Sequence, residues 1–461
     1  MSFSAEVCET SQVVMQVHLS ALGCRLNEAE LQNWANSFQR LGLSLTSEVD
    51  AADLIVLNTC AVTAEAARKS RQTVRRFHRA NPQARKVVTG CYASLEPEEV
   101  AQIMGVDLVV ANEDKDILVE QAKQLLDIPA MPEFATEPGE SALFARNRER
   151  AFIKIQDGCR YRCTYCIVTV ARGEERSRTI QDLVDEVNQL HAEGVQEIVL
   201  AGVHVGGYGS DIDSSLYELV EAILRETDMP RIRFASVEPW DLGENFFELF
   251  ANRRLMPHMH LPIQSGADTV LRRMSRRCKT STFSELVNQA KTQVAGFNVT
   301  TDVIVGFPGE TDEEFEQTMQ YIEEVGFGHI HIFTYSDREG TKAARLPGKI
   351  TKEVKKERSQ RLHELAARLK VEELGRQVGQ TVPVLWESSN QYTEEGKQRY
   401  FGYTPNYHKI AVEIPPGLSP ERTILNTKIE SVDSENGYLN GVILDEIPQQ
   451  ESPAIEVKTI G

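Results

Sequence analysis

The order of apolar and polar residues predicts an α/β protein in three parts: a doubly wound parallel sheet at residues 14–128, a (βα)6 partial barrel at 150–376, and a small β-barrel at 379–447. Three observations carry this reading. Strand-length apolar runs alternate with segments of helical period through the first two stretches. A segment holding Pro129, Pro132, Pro138 and Gly139 among charges separates them, so 129–149 is expected to be a linker. Beyond Thr381 the texture changes to short alternating runs broken by turn residues. Residues 448–461 are left as a tail.

In the first stretch, strands are expected at Val13–Ser20, Leu54–Asn58, Lys86–Thr89 and Leu108–Val110, with helices at Glu28–Leu41 and Ala64–Arg79. In the second, six strands are expected at Phe152–Ile155, Glu197–Ala201, Arg231–Val237, Met259–Ile263, Val299–Val305 and His329–Phe333. Leu183–Ala192, Leu216–Thr227, Phe246–Arg253, Thr269–Met274, Phe283–Gln293 and Asp312–Val325 carry helical apolar spacing between and after them. A charged helix, Lys352–Arg376, closes this stretch. The third part is read as strands Thr381–Trp386, Tyr400–Tyr403, Lys409–Ile414, Thr427–Val432 and Gly441–Asp445. A barrel of this size is a common holder of single-stranded nucleic acid, and Arg399, Tyr400, Phe401, Tyr403, Tyr407 and Lys409 interleave aromatic and basic groups. Between Gln380 and Ile447, however, five basic residues face ten acids, so half of those aromatics are assigned to packing.

The 461 residues, 41 % hydrophobic and 26 % charged, have the composition of an ordinary globular protein with room for two or three domains. No apolar run reaches the length of a membrane span, and Met1–Cys8 lacks a basic region followed by an apolar one, so a cytoplasmic protein with no membrane partner is expected. Eight cysteines are too few for a disulfide scaffold of this length. A net charge of −18 argues against indiscriminate nucleic-acid binding. Locally the balance reverses: Glu65 to Lys86 holds eight basic residues and one acid, and Arg68, Arg71, Arg75 and Arg79 recur along one helical face. A second basic knot is Arg272, Arg273, Arg276, Arg277 and Lys279. Each is either a solvated helix surface or a phosphate-binding stripe.

Six of the cysteines carry the chemistry. Cys159, Cys163 and Cys166 follow the first strand of the partial barrel in a C-x3-C-x2-C pattern. A structural zinc site would need a fourth local Cys or His, and there is none, whereas three thiolates hold three irons of a cubane cluster and leave the fourth open to a small chelating ligand. In the first stretch, Cys24, Cys60 and Cys91 each stand where a strand is expected to end. The carboxyl ends of parallel strands face one crevice, which makes a second three-cysteine site possible beside the alternative of single buried cysteines.

Around these cysteines the chain reads Leu22-Gly23-Cys24-Arg25-Leu26-Asn27-Glu28, Asn58-Thr59-Cys60, Thr89-Gly90-Cys91, and Ile155-Gln156-Asp157-Gly158-Cys159. Ala171-Arg172-Gly173 with Ser177-Arg178, then Ala201-Gly202-Val203-His204, continue the set. His260-Leu261-Pro262-Ile263-Gln264-Ser265-Gly266 and Thr301-Asp302-Val303-Ile304-Val305-Gly306-Phe307-Pro308-Gly309-Glu310 complete it. That ordered set resembles the radical S-adenosylmethionine (radical SAM) methylthiotransferases, which comprise an amino-terminal methylthiotransferase domain, a radical SAM core and a TRAM module. The resemblance covers about 14–447. Arg25, Gly202-Val203-His204 and Gly402-Tyr403-Thr404-Pro405-Asn406-Tyr407 look most like the MtaB-type branch, which acts on N6-threonylcarbamoyladenosine at tRNA position 37. Cys8 and Cys278 match no ligand position.

The resemblance implies two 4Fe-4S clusters, on Cys159, Cys163 and Cys166 and on Cys24, Cys60 and Cys91, with SAM as methyl donor and radical source. It implies that Tyr165 lays its backbone along the SAM adenine, that Gly202 and His204 line the amino end, and that Arg178 pairs with the carboxylate. Gln264 and the turn Val305–Gly309, with Gly306 and Gly309, would close the ribose and adenine side. A packed strand-end histidine is the alternative for His204, and no general base is assigned. The implied partners are a tRNA carrying N6-threonylcarbamoyladenosine and an external electron donor such as flavodoxin or ferredoxin. The rival readings are a methylthiotransferase for isopentenyladenosine tRNA or for a ribosomal-protein aspartate, and a non-catalytic iron–sulfur RNA-binding sensor.

Overall fold

Two parallel sheets organise the chain, and both arise from strands too apolar to leave either face in water. The structure is a computed structural model that describes residues 15–126, 149–243, 245–388, 391–393 and 396–449. Nearly all of the expected linker, the tail from residue 450, Cys8, and Val13 and Val14 lie outside the described residues. The chain divides into two compact units: residues 1–146 with Val170–Arg172, and residues 147–169 with 173–461.

In the first unit five parallel strands stand in the spatial order Ser44–Leu45, Gln16–Ala21, Leu54–Thr59, Arg85–Gly90, Leu108–Val110. The central run Leu54–Thr59 is buried throughout. One face packs Val17, Leu54, Val56 and Val87 against Trp34, Phe38 and Leu118. The other packs Ile55, Leu57 and Val88 against Val74, Phe77 and Tyr92, so helices cover both faces as doubly wound topology requires. Ala64–Ala80 forms the basic helix, capped by Thr63 accepting from Ala66 N.

In the second unit six parallel strands follow one another in chain order: Arg150–Lys154, Glu197–Ala201, Arg231–Phe234, His258–His260, Asn298–Val305 and His329–Thr334. Single parallel bridges, Ile232 to Leu255 and Ser236 to His260, join the third strand to the fourth. One face of these strands packs on the surrounding helices through Ile153, Ile198, Ile232, Met259, Val303 and Ile330. Two sequence expectations are corrected here. Phe246–Ala251 is a short 3-10 helix, not an α-helix: Phe246, Phe247, Leu249 and Phe250 are buried and Glu248 is exposed, a pattern that six residues satisfy in either form. The fourth strand stops at His260, because Gln264 takes a positive φ of 77° and only a bridge to Val303 remains. Gln156–Asp157 and Arg176–Ser177 add a small antiparallel pair.

The last part is a closed sheet in the order Thr381–Trp386, Ile424–Asp433, Tyr438–Ile443, Lys409–Ile414, Gln398–Tyr403, with Gln398–Tyr403 also pairing Thr381–Trp386. It is fixed to the partial barrel by buried charge. Glu197, fully buried, meets Arg150 Nε at 3.1 Å, Arg231 Nε at 2.9 Å and Arg233 Nη2 at 3.1 Å. Arg231 donates onward to the carbonyls of Tyr403 and Thr404, and Arg233 to that of Pro405. Tyr403 and Tyr407 stack 4.8 Å apart and take the Arg150 and Arg233 guanidinium groups on their faces. Tyr400 is buried and Tyr403 and Tyr407 are half-buried in these stacks, so three of the four interleaved aromatics serve packing. Burial alone would raise the pKa of Glu197, but Arg233, Arg231 and Arg150 outweigh it and hold the carboxylate well below its usual range. Removing it leaves three guanidinium groups without their shared anion. Glu197→Ala is expected to cost about 3–5 kcal/mol in urea unfolding, the size of a broken buried pair; a loss under about 1 kcal/mol would show that water or another anion takes its place.

Candidate active site: two three-cysteine centres

Each triad stands at the carboxyl edge of its sheet. In the first unit Cys24 follows Gln16–Ala21 and is the N-cap of the helix Arg25–Arg40, Cys60 directly follows Leu54–Thr59, and Cys91 directly follows Arg85–Gly90. Cys60 and Cys91 are buried and Cys24 is exposed. The three thiols lie close enough that Cys91 and Cys24 act electrostatically on Cys60. Two glycines shape the crevice. Gly23 has φ +97°, and a Cβ there would sit 2.6 Å from both Cβ and Sγ of Cys60; Gly90 has the same φ, and its Cβ would strike Thr59 and Asn58. Asn112 Nδ2 lies 3.9 Å from Cys91 Sγ, and Asn27 Oδ1 lies 3.8 Å from Cys24 Sγ.

Behind these thiols is a buried charge network that local sequence patterns did not reveal. Glu30, 2 % exposed, takes Lys115 Nζ at 2.5 Å on one oxygen and Arg172 Nη1 at 3.0 Å on the other. Lys115 also reaches Asn58 Oδ1 at 3.2 Å, and Arg172 Nη2 reaches Asn27 Oδ1 at 2.8 Å. The Arg172 cation opposes the effect of burial on Cys60, whose thiol is pushed up to about 11.

In the second unit the loop from Gly158 to Cys166 is held by its backbone. Gly158 has φ +73°, and a Cβ on it would run into the carbonyl of Glu174. Cys159 N donates to Gly173 O, Cys166 N to Cys163 O, and Thr164 is bound through N, Oγ1 and O to Met274, Arg273 and Ala343. Burial pushes the Cys159 thiol up to about 12, with smaller contributions from Glu238, Cys166 and Cys163, which places the three sulfurs in one electrostatic neighbourhood. Iron ligation needs thiolates, so loading must displace these protons. Arg276, from the second basic knot, brings Nη1 to 3.9 Å from Cys163 Sγ, lies over Trp240 and donates to Pro262 O. Arg273 of the same knot is paired with Glu314, so two of its five residues are engaged inside the unit, while Arg272, Arg277 and Lys279 are exposed.

The residues expected around SAM fare differently. Gln156 Oε1 accepts from Val203 N and His204 N, and a Cβ on Gly202 would come 3.0 Å from that oxygen, which explains the glycine. His204 is fully buried, with Nδ1 on Glu175 Oε1 and Nε2 at 2.6 Å from Asp241 Oδ2. Both ring nitrogens are thus engaged, and direct contact with the amino end of SAM is not supported by its position. Burial alone would lower its pKa, but Asp241, Glu238 and Glu175 outweigh this and raise it. Glu175 and Asp241 also take Arg160, and Asp241 takes the Tyr161 hydroxyl. Arg178 is paired with Glu186 at 2.5 Å and donates to Lys154 O, so a SAM carboxylate would have to compete for it. Gly306, at φ +72°, donates its N–H to Glu310 and has the Lys355 chain above it, so its glycine serves the turn and not ligand approach. Gly309, at φ +76°, would bring a Cβ within 4 Å of Arg273 alone, and it is half-buried with its N–H donated to Gly348 O. Tyr165 is half-buried against the cluster of Phe307 and Tyr335.

The surroundings of the second triad fit a polar ligand. Gln264 Oε1, Glu238 Oε2, Trp240 Nε1 and Arg276 Nε are buried, and none has a hydrogen-bond partner among the described residues. Orphaned polar atoms of this kind are costly unless a ligand or water meets them. The donor set fits iron in both units: three sulfurs, with Cys278 buried elsewhere and turned to the Lys279 carbonyl.

The basic stripe divides. Arg68 pairs with Glu65, and Arg71 with Glu99 and the Tyr92 hydroxyl, whereas Arg75 and Arg79 have no carboxylate within ion-pair distance among the described residues. They stand with Lys69 and Arg76 along one shallow groove.

A substitution at Gly23 tests the first crevice. Gly23→Ala should displace Cys60 and lower the iron held per chain after anaerobic reconstitution toward half, while Gly243→Ala, with nothing within 4 Å, should leave it unchanged.

Residues 153–322 match the Radical SAM superfamily, and residues 16–111 match the Uncharacterized protein family UPF0004. The chain is 36 % identical over 418 residues to the threonylcarbamoyladenosine tRNA methylthiotransferase MtaB of Bacillus subtilis (strain 168), covering 86 % of this chain and 89 % of that protein. It is 32 % identical over 440 residues to the tRNA-2-methylthio-N(6)-dimethylallyladenosine synthase of Staphylococcus saprophyticus, covering 92 % and 84 %. Among solved structures, the radical S-adenosylmethionine methyltransferase TsrM from Kitasatospora setae aligns with a TM-score of 0.55 at 16 % identity, over 72 % of this chain and 77 % of that one, which bears on the fold alone. With the cysteine geometry and identity across most of its length, the chain belongs to the radical SAM tRNA methylthiotransferases, enzymes that use S-adenosylmethionine and 4Fe-4S clusters.

Proposed function

We propose that this enzyme inserts a methylthio group at carbon 2 of N6-threonylcarbamoyladenosine at position 37 of tRNA, with SAM as both methyl donor and radical source. The observation that carries the reading is the presence of two separate three-cysteine centres, each at the carboxyl edge of a parallel sheet. Cys159, Cys163 and Cys166 would hold one 4Fe-4S cluster, and Cys24, Cys60 and Cys91 the other. When bound, the first would supply the electron for reductive cleavage of SAM, and the second would supply the sulfur to be methylated and transferred.

The chain's own residues do the positioning. Gln264 Oε1, buried and without a partner among the described residues, is suited to a ribose hydroxyl of SAM. Glu175 and Asp241 lock His204, which fixes the Gly202–His204 backbone against Gln156 and leaves that backbone, not the imidazole, to line the ligand. Tyr165 and Gly309 complete the adenine side. A functional division into a methylthiotransferase domain at 14–128, a linker at 129–149, a radical SAM core at 150–376 and a TRAM-like module at 379–447 accords with this arrangement. An external donor such as flavodoxin or ferredoxin would supply electrons, in the cytoplasm where tRNA is modified.

Four relatives named for the threonylcarbamoyl substrate are 34–36 % identical and four named for the dimethylallyl substrate 32–34 %, a narrow margin that supports the first branch. The test is nucleoside mass spectrometry after incubating the reconstituted enzyme with tRNA carrying either modification. A 2-methylthio product from the threonylcarbamoyl form only is expected; product from the dimethylallyl form alone, or from a ribosomal protein, would assign a sister branch, and tRNA binding with neither SAM cleavage nor transfer would favour a sensor. Arg75→Glu with Arg79→Glu should raise the apparent KM for tRNA severalfold and reduce the salt slope by about one per lost phosphate contact. Arg71→Glu should do less, because Glu99 and Tyr92 already occupy that side chain. Cleavage of SAM without tRNA should stay at the parent rate in both.

A further inference from the structure

Three neighbouring strands of the partial barrel turn an unusual set of side chains to the face opposite the hydrophobic core. On Asn298–Val305, residues Val299, Val303 and Val305 pack inward on helices, as do Met259 and Ile330 on the flanking strands. The alternation of a strand therefore puts His258, His260, Thr300, Asp302, His329 and His331 on the other face, with Asp302 in register with His331. Four of them are linked by polar contacts, and His331 meets the rings of His260 and His329 edge-on. Thr300 Oγ1 lies 3.1 Å from His258 Nε2 and 2.9 Å from His260 Nδ1, and His260 Nε2 lies 3.1 Å from Asp302 Oδ1. One imidazole thus holds one carboxylate oxygen in place.

At its open end the network has groups to spare. Asp302 Oδ2 and both ring nitrogens of His331 have no hydrogen-bond partner among the described residues, and ligand atoms of His260, Asp302 and His331 all lie within 4.8 Å of one another. Asp302 is 23 % exposed and His331 is exposed. The network also adjoins the reacting region. Asp302 O accepts from Gln264 N at 2.9 Å, and its carboxylate acts electrostatically on Tyr165, between Cys163 and Cys166. Burial and the neighbouring His260 push the His331 pKa down, which keeps its imidazole neutral with one N–H to give.

An acceptor beside a donor on one wall matches a purine edge that presents an N–H beside a ring nitrogen. We propose that Asp302 and His331 bind the Hoogsteen edge of the adenine to be modified, Asp302 accepting from N6–H and His331 donating to N7. The inference rests on the substrate reading above and adds the residues that orient the base. Carbon 2 lies on the side of the ring opposite that edge, so a base gripped there leaves carbon 2 free and buries nothing that must react. His260 is a positioning residue that acts through Asp302.

A substrate lacking the acceptor tests the claim. An anticodon stem-loop whose N6-threonylcarbamoyl base carries carbon in place of N7 should be methylthiolated about tenfold less efficiently than the natural one by the parent enzyme, the size of one lost hydrogen bond. His331→Ala should be slower by about the same factor on the natural stem-loop and show no further loss on the 7-deaza one. His331→Gln, which keeps an N–H, should recover part of the difference. Formation of 5′-deoxyadenosine from SAM in the absence of the stem-loop should be unchanged in each variant. An equal 7-deaza penalty in the parent and in His331→Ala would overturn the proposal and leave the substrate reading standing; failure of the parent to modify the natural stem-loop would overturn both.

Discussion

A parallel sheet delivers the carboxyl ends of all its strands to one edge, and three thiols that share one ligand must meet within a few ångströms. The first fact is what makes the second possible for residues as distant in sequence as Cys24, Cys60 and Cys91. Leu54–Thr59 is central in its sheet, so Cys60 stands between the other two, and the near absence of side chain at Gly23 lets it approach. The other triad is local in sequence, yet it depends on the same edge: the loop that carries it leaves the first strand of the partial barrel and is pinned by Gly173, Arg273, Met274 and Ala343. Both centres are therefore properties of strand direction before they are properties of cysteine.

Buried charge does the remaining fixing. Glu197 under three arginines anchors the closing β-barrel, and Glu30 takes Lys115 and Arg172 behind the first triad. Desolvated ions are costly, so each carboxylate sits where several donors converge and the geometry permits one arrangement. The same logic appears around His204, whose two nitrogens are held by Glu175 and Asp241 so that the adjoining backbone cannot drift. Rigid surroundings are what a radical reaction needs, since an unconfined radical attacks whatever lies nearest.

The strands and the placing of six cysteines at strand ends were legible because their signals are local: an apolar run of a given period, a turn glycine, a cysteine after it. Elements without a periodic signature were not. Ser44–Leu45 and Gln156–Asp157 are two residues each, and the apolar spacing of Phe246–Ala251 over six residues fits a 3-10 helix as well as an α-helix. Partners were the least legible. Arg172 meets Glu30 across 142 positions, Arg276 meets Cys163 across 113, and His204 meets Asp241 across 37. Nothing in the residues on either side of such a contact announces it. For the same reason Arg178 and Gly306 read as ligand contacts in the sequence, although Glu186 and Lys355 stand beside them in the fold, and half of the arginine stripe is paired.

Iron stoichiometry in two complementary triple variants tests the two-centre account most directly. The parent, reconstituted anaerobically, should hold about eight irons per chain, and replacing either Cys24, Cys60 and Cys91 or Cys159, Cys163 and Cys166 by alanine should leave about four, with the spectrum of a single 4Fe-4S cluster. Parent-level iron in either variant, or about four irons in the parent, would contradict it.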